Sequence, residues 1–309
     1  MTLFQLRQSL LLLITAGIWG ATFIAQSLGM DSVGPFTFTS GRMTLGVMFL
    51  TPLVLWLRRH LATSDPKEYL RRQTAHYKKQ WLLGSLCCGL CIFGGETFQQ
   101  LGLFNDTEVG KAGFITSLYI VLVPLLGLFL GKRLNWLIVV SVILSVIGLW
   151  YLCVPEGGFH IRLGDSLIGM CALVFSLHIL VISHFVKTVN PIELSVGQFG
   201  VGAVLGLIAM LLFESPTIES FSAALPAILW AGVMSNGIAY TLQIVGQQGM
   251  NDTVASLILS LESVVATLCG WWILDEVLSA RELWGCVLMG TAVVLAQLPP
   301  TLFTRKKTS

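Results

Sequence analysis

Apolar residues in this chain fall in long continuous runs, not in the spaced stripes of a water-soluble helix or the alternation of a half-buried strand. Ten such runs lie near 10–29, 35–57, 81–101, 112–131, 135–154, 164–186, 191–213, 222–246, 253–274 and 280–298, each ended by Gly, Pro or charge. About 20 residues of helix cross a hydrocarbon layer about 30 Å thick, so each run has the length of one crossing. The runs lack the in-out period of a membrane barrel strand, and a helix satisfies its own backbone groups in lipid. The pattern therefore predicts an all-α integral membrane protein of ten transmembrane helices. The first run follows Arg7 and continues to about Leu28, longer than a signal-peptide core, so it is read as a retained span.

Composition agrees. Of 309 residues only 11% are charged and 55% are apolar, against about 25% charged in a soluble domain. The net charge of +2 is too small to point to nucleic acid, but its distribution is informative. With the N-terminus inside, the cytoplasmic segments hold fourteen Lys and Arg: Arg7, Arg58, Arg59, Lys67, Arg71, Arg72, Lys78, Lys79, Lys132, Arg133, Lys187, Arg305, Lys306 and Lys307. The other side holds three, Lys111, Arg162 and Arg281, and Arg42 lies within a span. This asymmetry predicts a multi-pass protein of the inner (plasma) membrane with both termini cytoplasmic. Trp56, Trp81 and Trp136 fall near one interface and Trp150, Trp271, Trp272 and Trp284 near the other, as anchors do. The seven cysteines form no ligand cluster, and neither a metal, a disulfide framework nor any cofactor is expected.

The halves repeat. A shift of 144 residues places Gln99 on Gln243, Gly102 on Gly246, Val121 on Val265 and Leu134 on Leu278. Earlier in each half the shift is 156, placing Pro35 on Pro191, Gly41 on Gly197 and Gly46 on Gly202. The long basic loop 58–80, against a short acidic counterpart with Glu214 and Glu219, absorbs the difference. Two units follow, 1–154 and 164–298, with a basic cytoplasmic tail 299–309. Five spans per unit is an odd number, so the second unit is inverted relative to the first, the architecture of alternating access.

Ile18-Trp19-Gly20-Ala21-Thr22-Phe23 with Pro35 and Arg42 resembles the opening of the EamA family of the drug/metabolite transporter superfamily. Leu259-Ser260-Leu261-Glu262 and Leu274-Asp275-Glu276-Val277-Leu278 resemble its recurring ninth-span ending, and Leu130-Gly131-Lys132-Arg133-Leu134 is the first-half version with Lys132 in place of the usual acid. Ser263 stands where that family usually has Pro. The resemblance implies ten helices, a central cavity between the halves, and export or exchange of amino acids and related metabolites.

Ionisable groups within spans are functional candidates by default. Glu96 with Gln99 and Gln100 places three polar side chains on one helical face, as a substrate or proton site or as an interhelical hydrogen-bond cluster. Glu262 has the same two readings. His178, matched to Thr22 by the 156 shift, is either a proton relay or a neutral hydrogen-bonded histidine. Arg42 either binds a substrate carboxylate, snorkels to the interface, or makes a structural pair with Asp31 or a helix end. Trp19, Tyr119 and Trp230 are candidate cavity aromatics, and Gln243 is the repeat partner of Gln99. Gly202-x-x-x-Gly206 and Gly127-x-x-x-Gly131 suggest close helix approach.

The chain has no P-loop pattern, which disfavours direct ATP drive, and no paired catalytic residues of a hydrolase, so it is not read as an enzyme. The leading reading is a secondary carrier of a small molecule, working in the lipid bilayer as a monomer or homodimer. A passive channel or facilitator is the alternative, with an intramembrane enzyme behind it.

Overall fold

The structure, a computed structural model, describes residues 3–105, 107, 109–154, 162–273 and 279–298; for Cys153 and residues 270–273 it describes the backbone alone. The ending Leu274–Leu278 and the tail 299–309 lie outside the described residues. Among the described residues the apolar runs are helical. In chain order the helices are α1 (Leu3–Met30), α2 (Pro35–Ser64), α3 (Pro66–Gln73), α4 (Ala75–Phe104), α5 (Val109–Ser117), α6 (Tyr119–Phe129), α7 (Trp136–Cys153), α8 (Leu163–Phe185), α9 (Pro191–Phe213) and α10 (Ile218–Leu229). A π-helical stretch (Trp230–Ala239) leads into α11 (Tyr240–Gln247), followed by α12 (Asp252–Leu259), α13 (Glu262–Ile273) and α14 (Ala280–Ala296).

Local chemistry explains the boundaries. Pro35, Pro66 and Pro191 open α2, α3 and α9, where a missing N–H costs nothing. Asn135, Asn190 and Asn251 cap α7, α9 and α12 through their side-chain oxygens. Helix α6 ends in a Schellman turn: Gly131 has φ +76, and the Lys132 amide donates to the Gly127 carbonyl at 2.9 Å. Gly127-x-x-x-Gly131 is therefore a helix stop, since a side chain at Gly131 would meet no neighbour. Gly202-x-x-x-Gly206 does mediate close approach, with Gly206 against the Ser40 backbone of α2.

Among the described residues eight helical stretches are long and apolar enough to cross a membrane: Leu3–Met30, Pro35–Ser64, Ala75–Phe104, Val109–Phe129, Leu163–Phe185, Pro191–Phe213, Ile218–Gln247 and Asp252–Cys269. Trp136–Leu152 is a shorter apolar helix and α14 has 17 residues. Large apolar side chains such as Phe129, Leu211, Phe213 and Ile218 are openly exposed. The interior instead holds Arg42, Glu96, Gln100, Gln198 and Asn236. This inversion of the soluble pattern is that of a multi-pass membrane protein.

Helix α2 packs antiparallel on α9 and is tied to it at both ends. At one end Arg58 Nε donates to Glu193 Oε1 at 2.8 Å. At the other, Glu214 accepts the Phe36 and Thr37 amides at 2.9 and 2.7 Å and the Thr37 hydroxyl at 2.6 Å. The 156-residue shift carries Thr37 to Glu193 and Arg58 to Glu214. The two ties are thus exchanged by the relation that matches the halves. Helix α4 packs on α8 and α9, and α7 on α14, where a Cβ at Gly285 would lie 2.7 Å from the Gly148 carbonyl.

Candidate functional site

Three departures from regular helix meet in the middle of the bundle. Between α5 and α6 the chain tightens at Leu118, whose amide donates to Ile115 instead of completing the α-helical ladder. Between α12 and α13 it tightens at Ser260 and Leu261 in the same way, with Leu261 donating to Ile258 and Ser263 to Ser260. The third is the π-helical stretch Trp230–Ala239. Irregular backbone within a membrane persists only where it lines a cavity or is buried in protein.

A cavity of about 30 Å³ lies there, lined by Trp19, Gln26, Arg42, Tyr119, Tyr240 and Glu262 with Thr22, Phe23, Gln99, Phe175, His178, Ile179 and Ser235. All of these except Trp19 are buried. That volume holds about two or three waters, at roughly 10–15 Å³ for each. A metabolite does not fit without movement of the walls.

One wall is an ion pair. Arg42 Nη2 lies 3.2 Å from Glu96 Oε1, with side-chain exposures of 2% and 0%. The guanidinium also donates through Nε to Asn236 Oδ1 at 3.0 Å, through Nη1 to Gln26 Oε1 at 3.3 Å and through Nη2 to Ser235 Oγ at 2.9 Å. The Asn236 amide donates back to Glu96 Oε2 at 3.4 Å. Ser235 and Asn236 both belong to the π-helical stretch. Charge and donors are both accounted for, so Arg42 is held by Glu96 and not by Asp31 or a helix end.

The other wall is a carboxylate without a cation. The Glu262 side chain begins α13 at one helix break, and the hydroxyls of Tyr119 and Ser117, which flank the other break, face its Oε1 at 3.0 and 3.4 Å. Ser117 Oγ also pairs with Ser263 Oγ at 2.7 Å. Among the described residues no cationic side chain pairs with Glu262. Gly20 of α1 makes this packing possible: a Cβ there would lie 2.6 Å from the Glu262 carbonyl. Trp19 packs on Tyr240 with ring centroids 4.6 Å apart and planes tilted by 55°, and its indole N–H is buried without an acceptor.

The sequence candidates separate. Trp19, Arg42, Gln99, Tyr119, His178 and Glu262 line the cavity, and Glu96 stands behind Arg42. Gln99 donates to Thr116 at 3.2 Å, and Gln100 to the Gln26 carbonyl at 3.2 Å. His178 Nε2 lies 2.9 Å from Gln198 Oε1, a hydrogen-bonded histidine. Trp230 is 40% exposed and reaches only the Thr22 hydroxyl at 3.2 Å, and buried Gln243 is not among the cavity side chains. Sequence reading missed Gln26, Ser235, Asn236 and Tyr240. Trp19, Thr22 and Gln26 share one helical face by spacing, and the 144 shift that matched Gln99 to Gln243 also places Glu96 on Tyr240.

Comparison with known proteins agrees with this architecture. The model of the EamA-like transporter family matches the chain twice, over residues 7–154 and 162–298. An uncharacterized transporter of Archaeoglobus fulgidus is 30% identical, covering 93% of this chain and 84% of that protein. The uncharacterized transporter YoaV of Bacillus subtilis is 24% identical over 94% of this chain and 95% of its own. A protein of solved crystal structure superimposes with a TM-score of 0.75 at 20% identity, covering 98% of this chain and 99% of that one. Matched along nearly its whole length, as two consecutive copies around one internal cavity, the chain belongs to the EamA-like transporter family and is a multi-pass membrane transporter.

Proposed function

We propose that the protein is an ATP-independent carrier that exports or exchanges amine-bearing metabolites, amino acids and related compounds foremost, by alternating access. In this reading the chain crosses the inner membrane ten times as two inverted five-helix halves with both termini in the cytoplasm. The observation that carries the substrate class is Glu262: a buried carboxylate in the cavity wall, supported by hydroxyls alone, suits the ammonium of a substrate. Trp19, Tyr119 and Tyr240 around it suit a cation or its apolar substituent. Arg42 is neutralised by Glu96, so it shapes the wall; the unpartnered Trp19 N–H is the donor left for a substrate acceptor.

The small cavity favours a carrier caught closed around its site over a channel, which needs a continuous water path. An enzyme is disfavoured because His178 is bonded to Gln198, not to a Ser or Cys nucleophile. The test is counterflow in proteoliposomes preloaded with unlabelled amino acids. Saturable uptake of a labelled amine-bearing solute, reduced at least tenfold by Glu262→Gln, is expected. Uptake that does not saturate, or that is as fast for deaminated analogues, refutes the reading.

A further inference from the structure

Away from the central cavity, the basic end of the bundle holds a second and larger one of about 290 Å³, lined by Arg58, Arg72, Lys78, Tyr77, Trp81 and Glu193 with Leu61, Tyr69, Gln73 and Leu82. Three cations face one carboxylate, and that carboxylate is already engaged. Glu193 is 3% exposed; its Oε1 accepts from Arg58 Nε at 2.8 Å and Arg72 Nη1 at 3.4 Å, and its Oε2 from the Tyr77 hydroxyl at 2.7 Å. The Trp81 indole donates to the Glu193 carbonyl at 2.9 Å, which fixes the ring as a wall. Arg58 uses only Nε in this network and its side chain is 45% exposed, which leaves its two terminal nitrogens without a hydrogen-bond partner among the described residues. Lys78 makes no ion pair among the described residues. Arg72 also donates through Nε to Glu68 at 2.9 Å, so the unspent cationic donors at this cavity are the Arg58 terminal nitrogens and Lys78.

The surroundings decide which anion fits. Leu82 is 61% exposed beside the cavity, and Leu70, on the short helix α3 that closes it, is 65% exposed. Trp81 and Tyr77 stand at the end of α4 where the hydrophobic run begins, the position of interface anchors. Cations at headgroup level above exposed leucines match an amphiphile carrying a phosphate, and basic residues beside a membrane helix draw anionic lipid. A water-borne phosphate would use the cations and leave the leucines without purpose.

We propose that this cavity binds the phosphate of an anionic phospholipid headgroup, held by Arg58, Arg72 and Lys78, with the acyl chains running over Leu82 and Leu70. The lipid would bridge α2, α3 and α4 and reinforce the Arg58–Glu193 tie to α9.

The probe is dioctanoyl phosphatidylglycerol added to the full-length protein in neutral detergent, with lipid retention read by native mass spectrometry and thermal unfolding followed in parallel. Dioctanoyl phosphatidylcholine and inorganic phosphate are the comparison arms. Retention of phosphatidylglycerol over phosphatidylcholine, weakened about fivefold by Lys78→Gln and little by Lys67→Gln outside the cavity, is expected, following the usual contribution of one basic residue near a membrane surface. Equal retention of both lipids, or equal loss in Lys67→Gln and Lys78→Gln, overturns the site. Inorganic phosphate that raises the unfolding temperature as far as phosphatidylglycerol does, with no lipid complex observed, overturns the lipid source and assigns the cations to a free anion.

Discussion

Glu96→Gln removes one charge from a pair sealed inside the bundle and leaves Arg42 with nowhere to put its own. The guanidinium cannot discharge itself by losing a proton. Stripping one partner from a buried ion pair costs about 3–5 kcal/mol. Here Arg42 keeps three neutral acceptors, Asn236, Gln26 and Ser235, at 2.9–3.3 Å. The expected loss therefore sits at the lower end, about 3 kcal/mol. Arg42→Met removes the opposite charge and also orphans those acceptors, so about 4–5 kcal/mol is expected. Joining the two changes leaves no unpaired ion, and the double variant should lose only about 3–4 kcal/mol instead of the sum of about 7–8 kcal/mol, a coupling of about 3–5 kcal/mol. The assay is equilibrium unfolding in mixed micelles, followed by circular dichroism, for all four members of the cycle. Losses that add to within about 0.5 kcal/mol would show that the two groups do not sense each other, and the description of this wall as one neutral unit would be wrong.

Gly20→Val should lower the unfolding temperature, because its side chain would press on the Glu262 carbonyl, the Ala266 amide and Val265 at 2.6–2.8 Å, with a cost of about 1–3 kcal/mol or more. Gly169→Ala, with open space around it, should be near neutral, and equal effects would refute the packing account. Tyr77→Phe deletes the 2.7 Å bond to Glu193 and the acceptor of the Asn190 amide, which should cost about 1–2 kcal/mol and speed trypsin cleavage within 58–80. Unchanged cleavage would count against Tyr77 as the tie between α4 and α9. The Arg71 hydrogen bond, seconded by Arg72, holds the Glu68 carboxyl at about 2 against an ordinary 4.5. Its folded value is depressed, so this support for α3 is complete above pH 4.5 and fades as pH falls towards 2. The pair is partly solvent-screened, so its contribution is below about 1 kcal/mol. Hydrogen exchange of the α3 amides should show an acid limb in the wild type that Glu68→Gln removes.

The helical layout was legible because hydrocarbon thickness converts directly into run length. Glu96 and Arg42 were legible as exceptions within those runs. Their partnership was not: 54 residues separate them, and nothing local distinguishes a cation that meets Glu96 from one that meets Asp31. The helix breaks at Leu118 and Ser260–Leu261 were hidden for a similar reason, since no Pro or Gly lies at either one; tertiary hydrogen bonds to Ser117, Tyr119, Glu262 and Ser263 accompany them. Tyr240 was within reach, because the shift already in hand lays it on Glu96. Trp230 misled because an aromatic ring in mid-span has the same signature whether it faces a cavity or lipid. Glu193 drew no notice in the sequence, and only the structure shows Arg58, Arg72 and Tyr77 converging on it.

The ties at the two ends of the α2–α9 pair occupy matching places but are made of different materials. Glu193 grips guanidinium groups, one of them 45% exposed, whereas Glu214 grips main-chain amides and a hydroxyl. Dissolved ions screen the exposed guanidinium contact far more than the neutral peptide donors. Raising ionic strength therefore loosens the Glu193 end of the pair and leaves the Glu214 end intact, so salt concentration becomes a thermodynamic lever on one end of the α2–α9 contact alone.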